Sequence, residues 1–88
     1  MESNDPFGDI LSILPRQSRA ARELLGWTQA DLAAAATLGL ATVKNFESER
    51  RETTAANLKA IQRALEEAGV ELIPAKGVKG VGVRLRQD

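Results

Sequence analysis

The side chains that could do chemistry in this chain are almost all charged or amide groups, because its 88 residues include no His, Cys or Tyr. Most acid–base and nucleophilic catalytic arrangements depend on those missing side chains, so we do not expect an enzyme. The lack of Cys and His also excludes disulfides and the usual zinc sites, and no metal or other cofactor is expected. The chemistry that remains is ion pairing and hydrogen bonding.

Charge is distributed unevenly along the chain, although twelve basic residues balance twelve acidic ones. Residues 1–14 carry acidic side chains and no basic ones. Local charge decides whether a surface contacts phosphate, so basic clusters elsewhere could bind an anionic partner. The alternative is that these charges only solvate the surface. The two clusters are Arg16, Arg19 and Arg22, and Lys76, Lys79, Arg84 and Arg86.

The elements that must position these side chains are four predicted helices. The first begins at Pro15 and ends at Gly26, which are favoured residues for those positions. Thr28 is the predicted N-cap of a second helix, QADLAAAA, within a capping-box-like Thr-x-x-Asp. After a short turn follows a third helix, LATVKNFES, and Thr53 or Thr54 caps a fourth, AANLKAIQRALEEAG. Helical spacing of apolar residues supports these assignments.

From residue 70 the apolar period changes from helical to alternating. VELI and VGVRLR are predicted strands joined by the turn-rich AKGVKG, so we expect a β-hairpin. A lone hairpin is only marginally stable, and a chain this short has a small core. The hairpin must therefore pack on the helices or pair with a second chain, and we favour a homodimer. The residues expected to form that interface are Val70, Leu72, Ile73, Val81, Val83 and Leu85.

The order helix, short turn, helix is that of a helix-turn-helix. Residues 26–47, GWTQADLAAAATLGLATVKNFE, resemble the lambda-repressor/Cro-like (XRE) helix-turn-helix family. The matching features are Trp27-Thr28-Gln29, Leu32-Ala33, Thr42-Val43 and Phe46-Glu47. The resemblance implies a mainly α domain of four to five helices, here followed by a C-terminal β-hairpin. The chain is therefore divided into an N-terminal arm (1–14), a DNA-binding domain (15–69) and the hairpin (70–88).

The resemblance also implies that the third helix enters the major groove of double-stranded DNA while the second crosses the backbone. At roughly 100° per residue, Val43, Phe46 and Glu47 lie on one side of the third helix. The opposite side is small and polar, and the expected base contacts are Leu40, Ala41, Lys44 and Asn45. Asn45 can bond adenine and Lys44 can reach guanine or a phosphate. The other two offer only apolar contact, so the site is T-rich there or is recognised by DNA shape.

Phosphate contacts are expected around this helix pair. Gln29 lies at the start of the second helix, where family members contact a phosphate and where free N–H groups favour an anion. Thr28 is mainly a structural cap that adds one contact. The remaining candidates for backbone contact are Ser48, Arg19, Arg50 and Arg51.

Arg22 and Glu47 occupy positions at which the family forms an ion pair between the first and third helices. The alternative is local pairing of Glu47 with Arg50 or Arg51. We favour the pair between helices, because Glu47 falls on the inner face, where an unpaired charge is costly. The chain departs from the family at the turn, where Thr37 replaces the usual Gly, which suggests a less tight turn or a displaced left-handed residue.

The predicted function is that of a transcriptional regulator that binds specific DNA sequences as a homodimer. The alternative is a protein-interaction adaptor, or an antitoxin-like or phage-regulatory module, with a partner bound by the arm. A second use for the hairpin is a basic wing that touches DNA through Lys76, Lys79, Arg84 and Arg86. No apolar run approaches the roughly 20 residues of a membrane span, and the acidic start does not resemble a secretory signal. We therefore expect a cytoplasmic, nucleoid-associated protein of bacterial or phage context, without membrane contact.

Overall fold

The computed structural model describes residues 13–87, and within them it contains four helices and two strands. These are α1 (Pro15–Leu25), α2 (Gln29–Ala36), α3 (Leu40–Glu47), α4 (Ala55–Glu67), β1 (Val70–Ile73) and β2 (Gly82–Leu85). The predicted mainly α architecture with a C-terminal β-hairpin is confirmed. No helix in the described range is long and apolar enough to cross a membrane. Residues 1–12 of the arm, and the protein contacts expected of it, lie outside the described residues.

Short polar residues and glycine set the ends of the helices. The Thr28 hydroxyl accepts a hydrogen bond from the Asp31 N–H at 3.0 Å, and the Asp31 carboxylate accepts one from the Thr28 N–H at 2.9 Å. This reciprocal capping box satisfies N–H groups that the first turn of α2 leaves without partners. At α4 the cap is Thr54, whose hydroxyl accepts from the Asn57 N–H at 3.0 Å. Gly26 ends α1 with a left-handed φ of 71°.

The turn between α2 and α3 is closed by a threonine in the left-handed conformation. Thr37 has φ 58° and ψ 46°, and its N–H donates to the carbonyls of Ala33 and Ala34. The expectation of a looser turn or a displaced left-handed residue is therefore wrong. The chain accepts strain at Thr37 because the packing of α2 on α3 requires the tight turn. The N-cap of α3 is Gly39, which has no side chain to accept a capping hydrogen bond.

We expect Thr37→Gly to stabilise the fold by about 1 kcal/mol. The left-handed conformation costs an L-residue about 1–2 kcal/mol, and glycine avoids this cost. The larger entropy of glycine in the unfolded chain cancels about 0.5–1 kcal/mol of the gain. Thr37 is exposed, so little packing is lost. Thermal melting should rise by roughly 4–8 °C, given the usual conversion for a domain of this size. Ala34→Gly, at an exposed site inside α2, is the control, and it should lower the melting temperature. An equal decrease for both variants would show that Thr37 is not strained.

One core joins the helices and the hairpin. Its buried members come from all four helices, from β1 and from the segment before α1, and they are Ile13, Ala21, Leu32, Ala33, Val43, Phe46, Ile61, Ala64, Leu65, Val70 and Leu72. β1 and β2 are antiparallel, with Val70 opposite Leu85 and Leu72 opposite Val83. The hairpin packs on α1 and α4. Its first strand is thus part of the same core that supports the helices.

A buried glutamine fastens the hairpin to the start of α1. The Gln17 side chain accepts a hydrogen bond from the Leu14 N–H at 2.9 Å. Its amide nitrogen donates to the Gly82 carbonyl at 3.1 Å and, at a longer 3.4 Å, to the Ile73 carbonyl. Gln17 is only 2% exposed, so its polar atoms must find partners inside the protein. The strand ends nearest the hairpin loop therefore lie beside the N-terminal end of α1.

Candidate nucleic-acid interface

Helices α2 and α3 pack together as a helix-turn-helix because each has one apolar face. Leu32 and Val43 are completely buried, and Ala33 and Phe46 are nearly so. Burial of a large apolar side chain contributes about 1.5–3 kcal/mol. Trp27, at the entrance to α2, is half-buried against the same core. These contacts fix the orientation of α3 relative to α2. The opposite face of α3 points away from the core.

The outward face of α3 carries the residues for which we predicted base contacts. Ala41 and Lys44 are exposed, Leu40 is 40% exposed, and Asn45 is half-buried. This outward face of α3 is apolar near its start and polar towards its end. It can approach the base edges of a groove about 12 Å wide without steric obstruction.

Asn45 lines a polar cavity of about 140 Å³ between α3 and the start of α4. Four neighbours in this cavity were not among the predicted site residues: Thr42, Glu52, Thr53 and Asn57. The Asn57 amide donates to the Thr53 hydroxyl at 2.9 Å, which orders the two side chains. The i, i+4 spacing of Thr53 and Asn57 was a signal for that bond. Their position beside Asn45 depends on the packing of α4.

Glu47 is the centre of a buried hydrogen-bond network that holds α3 against α1 and α2. It is 1% exposed. Arg22 donates through Nε to both carboxylate oxygens, at 3.1 and 3.0 Å, and through Nη2 to Oε1 at 2.8 Å. The Ser18 hydroxyl donates to Oε2 at 2.5 Å, and the Gln29 amide to Oε1 at 3.1 Å. Charge-assisted bonds of this kind are shorter and stronger than neutral ones.

The network keeps Glu47 ionised. Burial raises the pKa of Glu47, but the hydrogen bonds from Arg22, Ser18 and Gln29 outweigh it, and the pKa lies below its usual value of 4.5. The carboxylate therefore remains charged at neutral pH and can hold three donors from two other helices. Of these donors, Ser18 and the inward bond of Gln29 were not predicted. Both residues are far from Glu47 in the sequence, so helical spacing does not indicate these bonds.

Two predicted phosphate-contacting residues also take part in contacts at the end of α3. Gln29 gives one N–H to Glu47 and keeps a second N–H of the same amide for another acceptor. Arg19 donates to the Glu47 backbone carbonyl and lies 4.0 Å from the Glu49 carboxylate. Both side chains are thus positioned next to α3.

The other predicted phosphate contacts differ in how free their donors are. The Thr28 hydroxyl accepts from Asp31 in the capping box, so its own proton can be donated elsewhere. The Ser48 hydroxyl donates to the Asn45 carbonyl at 3.2 Å, so a phosphate contact requires it to rotate. Arg50 and Arg51 are exposed in the connection between α3 and α4.

The six residues predicted to form a dimer interface are divided by the fold. Val70 and Leu72 are 1% and 2% exposed, so their side chains are covered by the same chain and cannot contact a second one. Ile73, Val81 and Val83 are half-buried, and Leu85 is 45% exposed. Of the six, only the latter group can therefore contribute apolar contacts with a partner chain.

Comparison with known proteins agrees with this geometry. The family model described as helix-turn-helix matches residues 19–72, which is more than half of the chain and includes α2, the turn and α3. No curated protein matches the chain. The family match, together with the packed helix pair and its outward face, identifies the chain as a member of the lambda-repressor/Cro-like (XRE) helix-turn-helix family of DNA-binding regulators.

Proposed function

We propose that this protein is a sequence-specific transcriptional regulator that binds double-stranded DNA as a homodimer, with α3 in the major groove. The observation that carries the proposal is the orientation of α3. Glu47 and the core residues hold its inner face, while Lys44 and the half-buried Asn45 face away from the core. Such a DNA-binding role implies a nucleoid-associated protein in a bacterial or phage context.

Donors that could bind phosphates lie near the C-terminal end of α3. The Gln29 amide, at the start of α2, has a free N–H beside Glu47, and Arg50 and Arg51 follow the same end of α3. In helix-turn-helix complexes the second helix of the motif reads bases while groups on either side bind phosphates. The placement of Gln29 beside Glu47 links this phosphate donor to the residue that fixes α3.

Selection from a random library of duplexes tests the proposed function. Repeated rounds of binding should enrich one motif, made of two similar half-sites with centres about 34 Å apart. The affinity for the enriched duplex should fall steeply with salt concentration, because phosphate contacts release counterions. Equal affinity for all sequences would contradict sequence-specific regulation. Tight binding to a protein, with no affinity for DNA, would support the adaptor alternative.

The proposed dimer is supported by two exposed leucines on neighbouring elements, which we take to form one apolar patch. Leu24 at the end of α1 and Leu85 at the end of β2 are 43% and 45% exposed. α1 and β2 pack side by side, starting from the bond between Gln17 and Gly82. Large exposed apolar side chains on neighbouring elements are typical of interaction sites. A two-fold axis through this patch would bury the leucines of both chains.

We expect the double variant Leu24→Glu and Leu85→Glu to be monomeric at concentrations where the unaltered protein is dimeric. Four carboxylates would face one another in the dimer, and burial of unpaired charges is costly. Sedimentation equilibrium measures the dissociation constant directly, and we expect it to rise at least about 100-fold, equivalent to about 2.7 kcal/mol. Ala56→Glu, at an exposed site on α4, is the control for added charge. Deletion of the hairpin is a poorer test, because it also removes Val70 and Leu72 from the core.

An unchanged dimer in the double variant would exclude this patch as the interface. A monomeric unaltered protein would exclude the homodimer itself.

A further inference from the structure

The hairpin ends in a tight, well-defined tip. Lys76 donates its backbone N–H to the Lys79 carbonyl at 2.8 Å, and Lys79 donates to the Lys76 carbonyl at 2.9 Å. These reciprocal bonds leave only Gly77 and Val78 to make the turn. Gly77 has φ 61°, a conformation that glycine adopts without strain. The tip therefore presents its side chains in a fixed arrangement.

The side chains of the tip are energetically unfavourable on a surface that contacts only solvent. Val78 has a relative exposure of 103%, the highest of the large apolar residues in the described range. Lys76 and Lys79 are directly opposite each other, and like charges in that arrangement destabilise a strand pair. The ion pairs among the described residues involve neither lysine. A bound polyanion would remove the repulsion.

The position of the tip relates it to α3. Gln17 bonds Ile73 and Gly82, the strand residues nearest the loop, so the loop begins and ends beside the N-terminal end of α1. At that end, Pro15 shares a groove with Phe46 and with Arg51, which follows α3. Val78 is five residues beyond Ile73, a reach of about 16 Å for an extended chain. The N-terminal end of α1 thus adjoins both the base of the hairpin loop and the groove beside the end of α3.

The two arginines of β2 and its flank are less suited to the same role. Glu71 accepts hydrogen bonds from Arg84 at 3.0 and 3.2 Å, which neutralises that guanidinium within the hairpin. Arg86 follows β2 at the opposite end of the strand from the tip. The basic wing expected from the sequence is therefore reduced to its two lysines.

We propose that the hairpin tip is a second DNA-binding element, with Lys76 and Lys79 on phosphates that flank the site of α3 and Val78 against the sugar edges of the minor groove. This inference rests on the proposed DNA-binding function. Minor-groove binders likewise combine basic side chains with apolar ones. Contacts of this type add affinity with little dependence on base sequence.

The test compares Lys76→Ala/Lys79→Ala with the unaltered protein on two duplexes that contain the selected site. One duplex extends at least ten base pairs beyond the site on each side, and the other ends at its edges. On the long duplex, the slope of log K against log salt should decrease in magnitude by about 1.8 per protomer, at about 0.9 for each lost phosphate contact. On the short duplex, the two proteins should bind alike. Lys59→Ala, on the exposed face of α4, is the matched control and should change neither slope.

An unchanged slope on the long duplex, with specific binding intact, would overturn the wing and leave the proposed function standing. The absence of any DNA binding by the unaltered protein would overturn both. Vesicles of anionic phospholipid supply a further arm of the experiment. Binding of the unaltered protein to vesicles, lost in the double variant while its DNA binding is unchanged, would assign the tip to a membrane surface instead.

Discussion

Glu47→Ala is expected to lower the free energy of unfolding by about 3–5 kcal/mol, the usual cost of removing one partner from a buried ion pair. The variant leaves the Arg22 side chain, which is 18% exposed, without its carboxylate. It also leaves the buried Ser18 hydroxyl and the Gln29 amide without acceptors. Because small domains are stable by about 5–15 kcal/mol, a large fraction of the margin would be lost. Urea denaturation followed by circular dichroism measures the effect.

The matched control is Glu71→Ala, which removes the exposed partner of Arg84 and should change the free energy of unfolding very little. A second variant, Arg22→Met with Glu47→Leu, removes both charges and should recover much of the lost stability. Equal losses for Glu47→Ala and Glu71→Ala would contradict the central position of Glu47 in the network.

The same carboxylate predicts how stability depends on pH. Because the pKa of Glu47 is lower in the folded protein than its usual 4.5, the folded state binds this proton less readily than the unfolded state. The contribution of Glu47 is therefore fully present above about pH 4.5 and is lost as the pH falls through the folded pKa. In Arg22→Met/Glu47→Leu, the loss of stability below pH 4.5 should be smaller than in the unaltered protein.

Lys44→Ala/Asn45→Ala is expected to abolish most of the preference for the selected DNA site. Well-formed side-chain contacts with base edges contribute about 1–3 kcal/mol each. The loss of two contacts should reduce specific affinity by about two to three orders of magnitude, at about 1.4 kcal/mol for each tenfold change. Lys44 is exposed and Asn45 half-buried outside the core, so the fold should be retained. Competition between the selected duplex and a scrambled one measures the ratio.

Binding to the scrambled duplex should decrease much less in this variant, because Gln29, Arg50 and Arg51 remain available for phosphates. Lys59→Ala serves again as the control for the loss of one positive charge. If the variant still prefers the selected duplex as strongly as the unaltered protein does, then α3 does not read bases through these side chains. In that case the apolar Leu40 and Ala41 and the shape of the DNA would be the remaining sources of specificity.

The elements of this fold could be predicted from local chemistry. Pro15 and Gly26 bound α1, Thr28 caps α2 through its own box with Asp31, and alternation after residue 70 indicates strands. Each of these signals involves residues within four positions of one another, so it can be recognised without knowledge of the tertiary structure. Thr37 is the exception. A β-branched residue does not favour a positive φ, and only the packing of α2 on α3 makes that conformation the best one available.

The candidate site likewise has features that the sequence predicts and features that it does not. Helical spacing along α3 separates its buried from its outward residues, and the family resemblance suggests the pairing of Arg22 with Glu47. The sequence did not indicate that Ser18 and Gln29 share that carboxylate, that Thr53 and Asn57 lie beside Asn45, or that Val70 and Leu72 are already covered by their own chain. Each of these contacts joins elements that are distant in sequence.

The amino-acid sequence by itself therefore determined the helices, the hairpin and the outward face of α3, because periodicity and capping act over a few residues. Only the tertiary structure decided which polar groups meet around Glu47 and which side of the hairpin is left for a partner. Those outcomes depend on how the helices and strands pack against one another, since burial forces each polar group to find an acceptor or donor across an interface.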